Sequence, residues 1–277
     1  MFKHKMYLIG TFTNTSVGSG DANFGMVDNL IQKDPVTFLP VFHSSSLKGA
    51  LKEHMEQYTP PNGNEISVDD IKKIFGDKED KPGTVKFYDA RLITLPLRAT
   101  KKVYYNCTSP LIVLDYLDAL ETFCRNEEVK ELKDFIGNLD FGDAEFLIFT
   151  EETDLEIEDY SKQKFTANGS TVSELIKKYF GVDIDNLAIF KNKIFSEICE
   201  TSLPVIARNK IGEDGTSENL FYEEVLPRMS RLWFMLGFDE KEPINSQFET
   251  KLKSDLIQFG ANTSIGYGVT KISLIGG

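Results

Sequence analysis

Residue types that commonly bind phosphate groups are concentrated near the N-terminus of this 277-residue chain. Gly18, Ser19 and Gly20 form a glycine-rich turn, and such turns let a backbone approach a ligand closely. Asp28 follows in an apolar segment and supplies one carboxylate. Because a carboxylate near a phosphate can act as a base or hold a metal ion, this spacing indicates chemistry on a phosphate-bearing ligand. The alternative interpretation is a plain tight turn, with Asp28 capping it.

A run of serines followed by a lysine marks the start of a predicted helix. Ser45 and Ser46 lie at the first turn, and Lys48 adds a full positive charge. The free N–H groups of a helix start and a nearby lysine both favour an anion. The same run is equally typical of a helix N-cap with a solvated lysine.

A second glycine-rich segment, residues 260–268, precedes the last predicted strand. It contains Asn262, Thr263, Ser264 and Gly266. Taken alone, it is typical of a helix C-cap followed by a loop. Its pairing with the first glycine-rich turn favours a shared phosphate-binding site. The glycine spacing of residues 18–25 does not match a dinucleotide-binding fingerprint.

Other polar residues are interpreted structurally. Glu223 and Glu224 lie in an apolar run, and we interpret them as polar residues that face out of a strand rather than as an acid–base pair. The three cysteines and three histidines are dispersed and show neither zinc-site nor disulfide spacing. No apolar run is long enough to span a membrane, and the first residues do not resemble a signal peptide. We therefore expect a cytosolic protein without membrane contact.

The net charge of −12 argues at first against nucleic-acid binding. The acidity is local, however, because residues 115–159 contain sixteen acidic residues and only three basic ones. The rest of the chain is close to neutral and is free to form basic grooves. We interpret the acidic segment as a solvated or protein-binding surface that faces away from RNA.

Hydrophobic periodicity and turn residues predict an alternation of strands and helices. Predicted strands cover residues 5–14, 36–42, 85–95, 97–106, 145–150, 187–190, 205–210, 220–225, 231–238 and 268–274. Predicted helices cover residues 47–58, 67–75, 109–125, 129–136, 171–180, 193–199 and 248–259, with capping boxes beginning at Ser67 and Thr171. This order predicts an α+β domain with an antiparallel sheet and helices on one face.

Taken in chain order, these motifs resemble one known family. The matching segments are residues 17–20, 25–34, 45–49, 88–92, 95–98, 108–110, 220–227 and 261–268. Together they resemble the RAMP-superfamily backbone subunit of type III-B CRISPR effector complexes, the Cmr complexes. The ordered set covers most of the chain and is loosest between residues 127 and 202.

The resemblance implies one domain over residues 1–277 with a ferredoxin-like (RRM-like) core and inserted helical and β-hairpin elements. The helical, acidic insertion is expected at roughly residues 110–200. Hairpins at residues 86–108 and 205–225 are both candidates for the thumb that kinks a guide–target duplex.

The resemblance also implies a function. Copies of such a subunit assemble into a filament along a CRISPR guide RNA, together with other Cmr subunits, and cut guide-paired single-stranded target RNA. The family's catalytic aspartate lies in a Gly-x-x-Asp segment and corresponds to Asp28, with Asp21 as the nearby alternative. Its reaction needs a divalent ion, Mg²⁺ or Mn²⁺, for which Asp28 is the expected ligand. The residues expected to contact RNA are Gly18, Ser19, Gly20, Ser45, Ser46, Lys48, Arg98, Arg208, Lys210, Asn262, Thr263, Ser264 and Gly266.

Two other functions stay compatible with the sequence. The first is an inactive scaffold that holds guide and target RNA in the same complex. The second is a small-molecule enzyme that binds phosphate through the same glycine-rich turns.

Overall fold

A computed structural model describes residues 2–20, 26–57, 66–77, 82–211 and 216–275. Its strands are β1 (Phe2–Thr11), β2 (Val41–Phe42), β3 (Val85–Phe87), β4 (Ala90–Arg98), β5 (Tyr104–Thr108), β6 (Phe146–Ile148), β7 (Gln163–Phe165), β8 (Leu187–Phe190), β9 (Val205–Ile211), β10 (Ser217–Glu224), β11 (Arg231–Asp239), β12 (Leu256–Gln258) and β13 (Val269–Leu274). Its helices are α1 (Ser44–Gln57), α2 (Val68–Phe75), α3 (Pro110–Cys124), α4 (Val129–Gly137), α5 (Ser170–Phe180), α6 (Asn192–Thr201) and α7 (Ile244–Ser254).

Four neighbouring strands form the centre of the large sheet, in the order β13-β1-β11-β4. All three pairings between them are antiparallel. In chain order these strands read β1, α1, β4, β11, α7 and β13, which is the βαββαβ order of a ferredoxin-like core. The predicted fold class is therefore confirmed.

Both faces of this sheet are covered by helices, so the prediction of helices on one face is wrong. Side chains alternate along a strand, and in β1 Tyr7 and Ile9 pack in one core while Met6 packs in the other. The first core includes α1, α2 and α7, and the second includes α3, α4 and α5. A sheet that is apolar on both faces requires a layer of helices on each side.

The long insertion between β4 and β11 continues the sheet outward through β5, β8, β6 and β7. The β5–β8 and β6–β7 pairs are parallel, which makes the sheet mixed rather than antiparallel as predicted. Most of the predicted helical insertion at 110–200 thus builds the second face and the far edge of the same sheet.

The two candidate thumb hairpins differ in their place in the fold. Residues 86–108 contribute β3, β4 and β5, all of which pair within the large sheet. Residues 205–225 form a separate two-stranded sheet, β9 with β10. The turn that joins β9 to β10 lies outside the described residues.

Several predicted boundaries are wrong. The predicted helix at 248–259 ends at Ser254, because the next residues form β12 and pair with β13. Helix α5 begins after Gly169 without a side-chain cap, so the capping box at Thr171 is absent, whereas Ser67 caps α2 by accepting the Asp70 N–H.

Within the described residues, no helix is both long and apolar enough to cross a membrane.

Truncation of Phe234 tests the central packing. Phe234 is fully buried on β11 and stacks on Tyr7, with ring centroids 5.3 Å apart. We expect Phe234→Ala to lower the free energy of unfolding by about 3–5 kcal/mol, measured by urea denaturation. Val103 is 87% exposed, so Val103→Ala should change the free energy of unfolding by less than about 0.5 kcal/mol. Equal effects of the two substitutions would contradict this arrangement of the core.

Candidate RNA-binding groove and catalytic aspartate

The glycine-rich turn after β1 is joined to the start of α1 by one buried side chain, Gln32. Its amide nitrogen donates to the Gly18 carbonyl at 3.1 Å and to Ser46 Oγ at 2.8 Å. Its amide oxygen accepts the backbone N–H of His43 at 2.8 Å. Sequence reasoning missed Gln32, since a lone glutamine in a loop carries no pattern. Gly25 and the alternative aspartate Asp21 lie outside the described residues.

The two glycine-rich segments meet at a groove of about 490 Å³. Gly18, Ser46, Gly260 and Thr263 are among the residues that line it. At Gly260 the backbone φ is +86°, and a Cβ there would lie 2.2 Å from the Ser16 carbonyl oxygen. Only glycine fits this position, which allows the 260–268 loop to pack directly against the chain after β1.

Lys48 lies on a different surface of α1 from this groove. Its ammonium group is 6.0 Å from the centre of the Phe87 ring, and it lines a second pocket together with Lys52. The start of the helix is also occupied, because the Ser44 N–H donates to Asp89 Oδ1 at 2.6 Å. An internal carboxylate therefore takes the place that the sequence assigned to a bound anion.

Asp28 is exposed but anchored to β10 through its backbone and its carboxylate. The Tyr222 N–H donates to Asp28 Oδ2 at 2.7 Å, and the Asp28 N–H donates to the Tyr222 carbonyl at 3.0 Å. Asp28 lies three residues before Ile31, which bridges to Gly18 on the groove. Three residues span at most about 10 Å, so the Asp28 backbone lies within that distance of the Ile31 backbone at this bridge.

Glu223 is 3% exposed, which contradicts its interpretation as an outward-facing residue. Its carboxylate accepts hydrogen bonds from Ser16 Oγ at 2.8 Å and from the Asn262 amide at 2.8 and 2.9 Å. Arg208 Nη1 of β9 is 3.2 Å from its other oxygen. This one carboxylate joins the base of the hairpin, the 260–268 loop and the chain after β1.

Glu224 is also buried, at 4% exposure, and points to the other side of β10. It accepts the Ile31 N–H at 3.1 Å and the Lys33 ammonium at 2.8 Å. Burial raises the pKa of the neighbouring Cys199 thiol far above its usual value, so this cysteine stays protonated and unreactive. Glu224 therefore ties β10 to the segment that carries Asp28.

The other residues predicted to contact RNA lie in different parts of the structure. The Arg208 guanidinium lies 5.8 Å from the centre of the Tyr267 ring and therefore faces the 260–268 loop. Arg98 lies instead at the end of β4 and pairs with Glu158 at 3.3 Å, within the acidic segment. Ser45, Ser264 and Gly266 are exposed, and the side chain of Lys210 lies outside the described residues.

The donor set at Asp28 constrains any metal ion. No group of three or more histidine, cysteine, aspartate or glutamate side chains with metal-site geometry occurs in the described part of the chain. Mg²⁺ commonly takes one or two carboxylates and completes its shell with substrate phosphates and water. A single anchored aspartate therefore fits an ion that RNA helps to hold, and does not fit one held by protein alone.

Comparisons with known proteins identify the family of this chain. A family model described as the RAMP superfamily matches residues 11–271. The chain is 28% identical over 302 aligned residues to the protein named CRISPR system Cmr endoribonuclease Cmr4 of Pyrococcus furiosus, covering 98% of this chain and 96% of that protein.

Solved structures show the same fold. Type III-B Cmr-beta in its apo state gives a TM-score of 0.78 at 21% identity, covering 99% of this chain and 98% of that one. Type III-B Cmr-beta bound to cognate target RNA gives 0.77 at 21% identity, with 98% and 96% covered. Oligomeric Cmr4 from Pyrococcus furiosus gives 0.72 at 22% identity, with 99% and 98% covered.

Replacement of Asn262 by aspartate tests the Glu223 network. Asn262 has a φ of +66°, which aspartate tolerates, so the main change is a second carboxylate facing Glu223. Two carboxylates at this distance raise the pKa of one of them above its unfolded value. We therefore expect a loss in the free energy of unfolding that is small near pH 4 and grows with pH, reaching about 2–3 kcal/mol at pH 8.

Ser264→Asp is the matched control, because it adds the same charge to the same loop at an exposed position. Its effect on the free energy of unfolding, measured by urea denaturation, should be small and nearly independent of pH. A deficit in Asn262→Asp that does not change between pH 5 and pH 8 would show that Glu223 does not face this amide.

Proposed function

Because the chain belongs to the RAMP superfamily, we propose that it is a guide-RNA-binding backbone subunit of a type III-B CRISPR effector filament that cleaves guide-paired target RNA. The observation that carries the proposal is the Asp28 carboxylate, held at the surface by β10 and three residues from the Ile31–Gly18 bridge at a groove built from both glycine-rich segments. The names of its relatives, a Cmr endoribonuclease and Cmr-beta bound to cognate target RNA, support the same assignment. This function implies that the chain binds other copies of itself and other Cmr subunits. It also implies a cytoplasmic location.

The groove suits the backbone of a nucleic acid. Glycine and threonine at its wall leave room for phosphates. Outside the groove lining, Arg208 adds positive charge and a planar surface beside Tyr267 of the 260–268 loop. Base pairing between guide and target carries the sequence specificity, so the protein needs to contact only the backbone.

The β9–β10 hairpin is the better thumb candidate. It lies outside the large sheet, and Leu220 and Tyr222 present 54% and 40% of their surface to solvent. Tyr222 is also the residue whose backbone anchors Asp28. A duplex kinked by this hairpin is therefore opened next to the carboxylate.

The chemistry requires few protein groups. RNA provides its own nucleophile, and kinking one nucleotide aligns its 2′-oxygen with the neighbouring phosphorus. The 2′-oxygen–phosphorus bond forms as the bond from phosphorus to the 5′-oxygen breaks, which leaves a 2′,3′-cyclic phosphate and a 5′-hydroxyl. Asp28 accepts the proton of the 2′-hydroxyl or holds the divalent ion, Mg²⁺ or Mn²⁺, whose charge would stabilise the phosphate oxygens. The departing 5′-oxygen takes a proton from water.

Asp28→Asn keeps the size of the side chain and removes its charge. We expect cleavage of a guide-paired target to fall by about 10²–10⁴-fold in single-turnover assays, with guide and target binding retained. Chelation of divalent ions should produce the same loss in the wild-type protein. Asp21→Asn is the control and should cut normally. A wild-type protein that binds the paired RNA but never cuts it, with Mg²⁺ or Mn²⁺ present, would identify a scaffold instead.

A charge introduced at the groove tests where the RNA backbone lies. Thr263→Glu should weaken guide RNA binding by at least tenfold at low salt, because a carboxylate would face phosphates. Lys48→Ala reports on the other surface of α1: if Lys48 contacts a phosphate, its removal should reduce the salt dependence of binding by about one charge. Filter binding across a salt series measures both variants. Unchanged affinity of Thr263→Glu would exclude this groove as the RNA path.

A further inference from the structure

Another cavity, of about 470 Å³, lies between α3, the start of α1 and the strands β3, β4 and β11, and we call it the α3 pocket. Its walls combine aromatic side chains, among them Tyr88, Phe123 and Trp233, with three carboxylates. These carboxylates are Asp89, Asp115 and Asp118. This composition differs from that of the groove at Gly18, and the function proposed above does not use it.

The lining of the α3 pocket is negative overall. Arg91 is the basic residue among its lining residues, and it pairs with Asp115 at 3.0 Å. The Asp89 carboxylate accepts a backbone N–H, which leaves its charge in place. Asp118 contacts Lys133 at 2.6 Å, but Lys133 also pairs with Glu121. The lining therefore carries three carboxylates and one guanidinium, and Asp89 is the carboxylate whose recorded contact is a backbone N–H and not a cation.

The aromatic walls are held in position. The Tyr88 hydroxyl lies 3.1 Å from His4 Nε2, and the His4 ring packs 5.3 Å from the Phe123 ring. Phe123 is nevertheless 45% exposed at the mouth of the pocket. Trp233 is 5% exposed, the Arg91 guanidinium lies 5.6 Å from its ring, and its buried indole N–H has no hydrogen-bond partner in the described chain.

We propose that the α3 pocket binds an arginine or lysine side chain from a basic segment of a partner protein. A cation gains from the faces of aromatic rings and from the carboxylates around them. RNA is the wrong ligand here, because three carboxylates repel phosphate.

The place of the pocket in the fold supports a separate role. Trp233 and Met235 belong to the core under α3, whereas Phe42 and Leu47 of the RNA groove belong to the core on the other side of the sheet. A partner seated in the α3 pocket therefore leaves the RNA groove open. The pocket also gives the acidic segment a defined contact rather than a diffuse charge.

Trp233 is the single tryptophan of the chain, so its fluorescence reports on this pocket directly. The probe is a short glycine–serine peptide that carries two arginines. The same peptide with two glutamates, and a short single-stranded RNA, are the comparison ligands. We expect the arginine peptide to give a saturable change in tryptophan fluorescence that the other two ligands do not give.

Two variants with equal charge changes locate the effect. Asp115→Asn with Asp118→Asn should weaken binding of the arginine peptide about tenfold. Glu127→Gln with Glu131→Gln removes two exposed charges of the same acidic segment away from the pocket and should change affinity less than twofold. Phe123→Ala keeps every charge, removes one aromatic wall and should weaken binding several-fold.

Three results would overturn the proposal. The first is a wild-type signal that does not saturate with the arginine peptide. The second is an equal loss in the two charge variants, which would mean general attraction to an acidic surface. The third is a change of equal size with RNA or with the glutamate peptide, which would assign the pocket to a different ligand.

Discussion

The candidate site depends on the hydrogen bonds and the ion pair that the buried carboxylate of Glu223 makes. A carboxylate removed from water is stable only when its oxygens are well supplied with donors, and here they come from Ser16, Arg208 and Asn262. These residues belong to three parts of the chain that are distant in sequence. Satisfying one charge therefore positions the hairpin, the glycine-rich loop and the chain after β1 together, and the last two of these line the groove.

Asp28 gains its position from the same strand. Consecutive side chains of β10 point to opposite sides, so Glu223 and Glu224 form hydrogen bonds with different neighbours. The backbone of Tyr222 forms hydrogen bonds with Asp28. A reactive carboxylate has to be exposed to its substrate and still be fixed in place. Backbone hydrogen bonds on one side and open solvent on the other meet both requirements. The chemistry of RNA needs little more, since the substrate supplies the nucleophile and phosphate oxygens for an ion.

The sheet separates two kinds of surface. The groove with Gly18 and Thr263 lies on the side of α1, and the acidic and aromatic α3 pocket lies on the side of α3. A chain with a net charge of −12 can carry a nucleic-acid groove because its negative charge is concentrated elsewhere. The insertion that carries this charge also covers the second apolar face of the ferredoxin-like core. The same segment thus completes the fold and carries most of the excess negative charge of the chain.

Local patterns in the sequence determined most elements, because periodicity, the Ser67 cap and Pro110 act over a few residues. Ordered motifs along the chain pointed to the family and to a ferredoxin-like core. Only the tertiary structure decided that β12 replaces the end of a helix, since pairing with β13 outweighs local propensity. It alone also placed Lys48 away from the groove and buried Glu223 and Glu224. The reason is that burial and hydrogen-bond partners depend on residues far apart in the sequence, such as Ser16 and Glu223, which are 207 positions apart, and no local pattern encodes such a pairing.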